Sequence, residues 1–118
     1  MVAADYVPDC GDLIKADFSA GQSGHEQAGW RPALVLSPKA YNRKAGLAIV
    51  VPVTNAVKGY PFEVNLPANL KITGTILADA VRSMDWRARR ARCCDKVPAG
   101  NFQTVKAKLA VLLGLPKP

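Results

Sequence analysis

One histidine, three cysteines and 9 acidic against 16 basic side chains are what this 118-residue sequence has little of. A lone His25 excludes acid–base catalysis by a histidine pair within one chain, and it excludes a metal centre built on paired histidines. Cys10 stands alone, while Cys93 adjoins Cys94. That spacing is neither the C-x-x-C of a zinc site nor an even-numbered disulfide framework, so ordinary reduced thiols are expected. No apolar run approaches the roughly 18 residues that span a bilayer. The opening "MVAADYVPDCGD" has neither the basic start nor the apolar centre of a secretion signal. The expected location is therefore cytoplasmic, with no membrane partner. A phosphate-binding glycine loop, a Ser-His-Asp pattern and internal repeats are also missing, and neither cofactor nor metal is expected.

What is present suits a folded protein. About half the residues are apolar (49%) and 21% are charged, with no long biased stretch, which argues against disorder except at tips such as "GLPKP". The length predicts a single domain over 1–118 with one core and no need of staples. Residues 1–53 carry five Lys or Arg and five Asp or Glu, so the whole net charge of +7 falls in residues 54–118. A one-sided basic half is the footprint of a protein that meets a polyanion, either a nucleic acid or an acidic protein segment; the bland alternative is a solvated basic face.

The apolar pattern predicts strands. "GDLIKADF" (11–18) has β character and runs into the glycine- and serine-rich "SAGQSG". "RPALVLS" (31–37) and "GLAIVVPV" (46–53) are continuous Val/Ile/Leu runs of strand length, as in the buried centre of a sheet. "PKAYNRK" between them has room for one helical turn at most. "YPFEVNL" (60–66) alternates Phe62, Val64 and Leu66 with Glu63 and Asn65, a half-wet strand. "GTILADAVRSMDW" (74–86) reads as one strand or two with a bend near Ala78 and Asp79. "NFQTVKAKLAVLLG" sets Phe102, Val105, Leu109 and Leu112 on one helical face, Lys106 and Lys108 on the other, and Gly114 as the stop. The expected fold is mainly β: a small, strongly bent antiparallel sheet or partly closed barrel with a closing helix.

"GHEQAGWRP" (24–32) crowds His25, Glu26, Trp30 and Arg31 into a glycine-flanked segment beside a rigid strand, where loops tend to carry function. As a mere surface loop it would hold a weak Glu26–Arg31 ion pair, with Trp30 as an anchor. If strands 31–37 and 46–53 pair antiparallel, however, Arg31 and Thr54 reach the same sheet edge, beside Glu26. A guanidinium, a hydroxyl and a carboxylate around one point suit metal-free phosphodiester cleavage by a neighbouring 2′-OH. That hydroxyl must lose a proton, the leaving 5′ oxygen must gain one, and charge on the five-coordinate phosphorus needs a fixed donor. Glu26 suits the first task and Arg31 the other two. Trp30 offers a stacking face for an unpaired base, or else packing at a dimer contact or local anchoring. "WRARRAR" (86–92) holds four arginines in seven residues, as a phosphate track or as a solvated strand end.

"YVPDCGDLIKADF", "GHEQAGWRPALVLSPKAYN", "PVTNAVKGYPFEV" and "ILADAVRSMDWRAR", in that order, resemble the MazF family of toxin endoribonucleases, also called the PemK or Kid group. The resemblance runs from about Tyr6 to Gly114. It implies an SH3-like barrel of about five to seven antiparallel strands with a C-terminal helix and short added helices. It further implies a homodimer and a metal-independent toxin that cuts single-stranded RNA at short sequences to 2′,3′-cyclic phosphate and 5′-OH ends. An acidic, partly disordered antitoxin of the MazE kind would be the partner. The motif arginine falls on Arg31, its glutamate on Glu26 and the Thr or Ser after the buried strand on Thr54; Trp30, Lys58, Arg87 and Arg89 are the expected RNA contacts. The family does not need His25. Where relatives often show a glutamine before the last strand, this chain has Ala80, which puts the recognised RNA word in doubt. The alternative on the same barrel is a non-enzymatic gyrase inhibitor like the CcdB toxins. Those rely on a tryptophan-bearing C-terminal tail, and this chain has no tryptophan after Trp86.

Overall fold

The computed structural model describes residues 6–18 and 29–116. Among the described residues, seven strands and two helices follow in chain order: β1 (Asp12–Asp17), β2 (Trp30–Val35), α1 (Lys39–Ala45), β3 (Ala48–Thr54), β4 (Glu63–Asn65), β5 (Thr75–Leu77), β6 (Arg82–Met84), β7 (Arg92–Lys96) and α2 (Ala99–Leu113). The sheet runs β4-β5-β3-β2-β1-β7, all antiparallel, and β6 also pairs with β3. β3 divides one edge between two partners: Ala48–Val50 bond to β6, and Val53 and Thr54 bond to β5. Pro52, which has no N–H to give a ladder, stands where the two partners change over. This is a small mainly β domain with a C-terminal helix, and the strand count is the upper end of the expected range.

β2 and β3 read as unbroken apolar runs because both faces of the sheet centre are covered. On one face Leu13, Leu34, Val51, Val53 and Ile76 pack with Val105 of α2; on the other Ile14, Ala16, Ala33, Val35, Val50, Met84 and Trp86 form a second cluster. At roughly 25 cal/mol per Å² of apolar surface, such two-sided burial is the main force holding the sheet centre. The bend expected near Ala78 and Asp79 is the turn that separates β5 from β6.

Two expectations change, and one strand was not expected. α1 has seven residues, about two turns rather than one, because Gly46 closes it in the left-handed region (φ 72°) and donates its N–H to the Asn42 carbonyl. Asn42 itself is fully buried: its Nδ2 donates to the carbonyls of Pro8 (2.8 Å) and Ser37 (2.9 Å), and its Oδ1 accepts from Ser37 Oγ (2.5 Å). Trp86 Nε1 donates to the Asn42 carbonyl at 3.0 Å, so this helix ties the second cluster together. Asn42→Ala removes all three side-chain bonds and leaves buried groups unpaired. The expected loss is about 2–4 kcal/mol in urea-induced unfolding, with RNA cleavage per folded molecule unchanged.

α2 packs most of its predicted face on the sheet, with Ala110 rather than Leu112 at its C-terminal end. Val105 and Ala110 are buried, Phe102 and Leu109 pack half-buried on the first cluster, and Leu112 faces outward at 45% exposure. Lys106 lies over the Phe102 ring (4.7 Å) and Lys108 Nζ donates to the Pro61 carbonyl (2.5 Å), so the lysines do not form a free polar side. β7 is a strand outside those expected. Its residues, Arg92 to Lys96, are mostly exposed and polar, as befits an edge strand that must not recruit another sheet. Lys96 Nζ caps the buried Asp12, which also accepts from Tyr6 Oη (2.5 Å) and the Asp9 N–H (3.0 Å).

Candidate active site

The β2–β3 ladder pairs Ala33 with Pro52, Leu34 with Val51 and Val35 with Val50. Carried two residues further, the same register sets Arg31 opposite Thr54, and opposed residues point to the same face of a sheet. Arg31 is exposed and Thr54 half-buried, at the rim where the apolar cover ends. Thr54 is the last residue of β3, and its Oγ1 accepts the Ala56 N–H at 3.0 Å. With an acceptor lone pair so engaged, the hydroxyl proton is left to donate outward.

The backbone behind Thr54 is held by a glycine. Gly74 has φ 120°, and a Cβ placed there would lie 2.4 Å from the Thr54 carbonyl oxygen and 2.9 Å from Asn55 Oδ1. Only glycine lets the chain pass so close before Thr54 and Thr75 pair.

Glu63 is not simply the wet residue of its strand. Its carboxylate accepts the backbone N–H groups of Lys58 (3.1 and 3.3 Å) and Gly59 (2.8 Å), pinning the loop that presents Lys58. Alternation along β4 shows burial and cannot reveal such a cap. Glu63→Ala releases the loop; RNA affinity is expected to fall about three- to ten-fold, readable as a raised KM with little change in kcat.

"WRARRAR" runs through a turn and ends at the exposed first residue of β7, Arg92. Trp86 to Arg90 form a turn, closed by Arg90 N–H to the Arg87 carbonyl (3.0 Å), Ala91 N–H to the Trp86 carbonyl (2.9 Å) and Ala88 N–H to Asp85 Oδ1 (3.0 Å). Arg90 takes φ 52° and pairs with Asp17 at 2.8 Å. Arg87 lies over the Trp86 ring (4.3 Å) and Arg89 over Phe18 (4.5 Å). Trp30, 38% exposed, is flanked by Arg92 (4.5 Å) and Arg90 (5.7 Å). Arg90 and Arg92 were indistinct within an arginine run; only the turn sends them to Trp30.

Glu26 and His25 lie outside the described residues. Among the described residues, the perturbed groups shift away from nucleophile or base duty. Burial, with Asp12 beside it, pushes the Tyr6 phenol above its ordinary range, and burial likewise raises the Cys10 and Cys93 thiols. The hydrogen bond to Asp12 holds Lys96 charged above the usual lysine range. Also among the described residues, no group of three or more His, Cys, Asp or Glu side chains is placed to hold a metal, and no helix is long and apolar enough to cross a membrane.

Residues 9–113 match the model of the PemK-like, MazF-like toxins of type II toxin-antitoxin systems. The endoribonuclease toxin MazF of Escherichia coli K12 is 51% identical over 109 residues, which cover 92% of this chain and 96% of that one. The endoribonuclease PemK of Escherichia coli is 36% identical, covering 86% of this chain and 77% of its own. A crystal structure of MazF from Deinococcus radiodurans superposes with a TM-score of 0.83 at 55% identity, over 94% of this chain and all of that one. A MazE–MazF crystal structure from the same organism gives 0.84 at 50% identity, over 95% of this chain and all of its match. With a family model spanning nearly the whole sequence and half of all aligned residues shared, the chain belongs to the PemK-like, MazF-like toxins of type II toxin-antitoxin systems.

Proposed function

We infer that this protein is the endoribonuclease toxin of a toxin-antitoxin pair and that it cuts single-stranded RNA at the Arg31–Thr54 rim without a metal. The observation that supports the reading is the β2–β3 register, which, continued two residues beyond Ala33 and Pro52, runs to Arg31 and Thr54. In the reaction the 2′-oxygen bonds to phosphorus as the bond to the 5′-oxygen breaks. The products are a 2′,3′-cyclic phosphate and a free 5′-OH. A guanidinium with a pKa above about 12 is a poor base near neutrality. Arg31 therefore serves as the clamp on the phosphate oxygens and gives the proton to the departing 5′-oxygen, while Glu26 assists removal of the 2′-proton. Thr54 donates its hydroxyl proton to a phosphate oxygen. Trp30, Lys58, Arg87 and Arg89 contact the RNA beyond the cut.

The basic half of the chain suits the antitoxin as well as RNA. An acidic, partly disordered segment would occupy the same surface and shut out substrate. The toxin acts as a homodimer in the cytoplasm. The gyrase-inhibitor alternative has no support in the relatives, which are named endoribonucleases.

The deciding experiment incubates purified protein with a long single-stranded RNA in excess EDTA and maps the ends. Fragments with cyclic phosphate at one end and 5′-OH at the other are expected. Intact RNA, or cleavage that EDTA abolishes, overturns the reading.

A further inference from the structure

Among the described residues, Arg90 is the one non-glycine residue with a positive φ, 52°. That region crowds any side chain and admits glycine freely, so an arginine there is held against its local preference by contacts of its own. Those contacts are distant in the sequence. Its Nη2 donates to Oδ2 of Asp17, 73 residues earlier, at 2.8 Å, and its guanidinium lies 5.7 Å from the centre of the Trp30 ring. Asp17 is buried, so the carboxylate side of this charge-assisted bond is shielded from water.

The two residues that Arg90 touches face each other near the end of one ladder. Asp17 is the last residue of β1 and Trp30 the first of β2; the register sets them opposite, with Ala16 and Arg31 the next pair. On the other side of β2, the ladder with β3 begins at Ala33. Among the described residues, the strand pairing that reaches Arg31 is therefore that with β1, close to a ladder end, where strands open most readily. The turn from Trp86 to Arg90 packs on that end. The Arg89 carbonyl accepts the Asp17 N–H at 2.7 Å, Arg89 lies over Phe18 at 4.5 Å, and Arg92, just past the turn, lies over Trp30 at 4.5 Å. Arg90 bridges the pair, with one side chain on both strands.

We propose that Arg90 is a positioning residue for RNA cleavage: by bridging Asp17 and Trp30 it clamps the start of β2 and fixes where Arg31 is presented to the phosphate that is cut. The proposal rests on the endoribonuclease reading and gives the arginine-rich turn a task beyond attracting a polyanion. A misplacement of about 1 Å can cost on the order of 10²-fold in rate, so a clamp that prevents part of such a shift acts on kcat. A residue that merely grips the RNA acts on KM.

The test is Arg90→Gly in the full-length protein. Glycine accepts a φ of 52° and deletes the clamp, so relief of backbone strain offsets the lost contacts and Tm is expected within about 3 °C of wild type. On single-stranded RNA, kcat should fall about ten-fold with KM within about two-fold. Arg90→Lys, which keeps a charge within reach of Asp17, should recover kcat to within about three-fold of wild type. Acrylamide quenching of tryptophan emission should rise in Arg90→Gly, because Trp30, at 38% exposure against 5% for Trp86, is the accessible ring and loses a cover. Affinity for a non-cleavable 2′-O-methyl RNA should keep its salt dependence, whereas loss of a phosphate contact to a single strand would lower the slope of log affinity against log salt by about 0.7.

Wild-type kcat in a folded Arg90→Gly protein, unchanged quenching, or a loss that Arg90→Lys does not recover overturns the proposal. A raised KM with a shallower salt slope and unaltered kcat makes Arg90 a phosphate contact, and the positioning role falls. A Tm lower by about 10 °C with full activity per folded molecule leaves the bridge a stabilising contact only. A wild-type protein that leaves RNA intact removes the enzyme reading together with the clamp; a wild type that cuts, beside an Arg90→Gly protein that cuts equally well, removes the clamp alone.

Discussion

Arg31→Ala is expected to leave a folded protein whose RNA cleavage is lower by about 10³-fold or more. The side chain is exposed at the start of β2 and belongs to neither apolar cluster, so truncation costs the fold little. The chemistry loses two things at once. A fixed donor at developing charge contributes about 10²- to 10³-fold, and a positioned acid about 10²- to 10⁴-fold. One residue supplying both gives effects that overlap rather than multiply. Arg31→Lys keeps a charge but not the two-pronged donor geometry, and partial recovery, well short of wild type, is expected. Single-turnover cleavage beside a thermal melt reads both quantities. Near-wild-type cutting by a well-folded Arg31→Ala protein would refute the assignment. A single 2′-deoxy substitution at the cleaved nucleotide probes the same step from the substrate side, since cutting there would rule out the 2′-OH as nucleophile.

The second large effect is structural and reaches the site through the backbone. Gly74→Ala places a methyl group 2.4 Å from the Thr54 carbonyl oxygen, at a φ of 120° that side chains rarely adopt. The obstructing atom is main chain, so no rotamer relieves the clash; either β5 or the end of β3 must move. A stability loss on the order of 2–4 kcal/mol is expected, seen as a fall in Tm of about 10 °C. A displacement of Thr54 by about 1 Å would lower cleavage by the surviving folded protein on the order of 10²-fold. A variant melting within about 2 °C of wild type and cutting normally would show that the approach of the two chains is not constrained as described. Glu63→Ala, by contrast, frees only the exposed loop around Lys58 and is expected to act on KM.

These two residues differ in how they were found. Arg31 was legible because it sits in a motif and precedes an apolar run whose length could be compared with that of its partner; the same comparison brought Thr54, the last residue of β3, to the same end of the ladder. Gly74 was one of nine glycines in the sequence. Nothing local marks it, since what makes it necessary is a carbonyl twenty residues earlier, met only when β3 and β5 pair. Glu63 was read correctly as a partly wet strand residue and incompletely as to its work. Asn42 and Ser37 look like ordinary polar residues beside a short helix, yet they form the buried polar link between Pro8, α1 and Trp86. The helical face of α2 was misread at Leu112 because apolar residues continue on all sides of its last turn, and only contact with the sheet selects Ala110 rather than Leu112 for burial.

The arginine-rich segment shows the same limit from another side. Its composition pointed to a polyanion, which needs only charge. Whether the charges lie along a strand or around a turn depends on Arg90 in the left-handed region and on the Asp17 carboxylate that receives it.

By itself, then, the order of residues determined the mainly β class, the two central strands, the family, and the meeting of an arginine and a threonine near one edge. Those follow from local patterning and from motifs, which are written in neighbouring positions. Tertiary structure alone decided the division of one edge of β3 between β5 and β6, the glycine passage beneath Thr54, and the turn that carries Arg90 and Arg92 to the Trp30 ring. Each depends on which segments pack together, and close approach between distant parts of a chain leaves no periodic trace in the sequence.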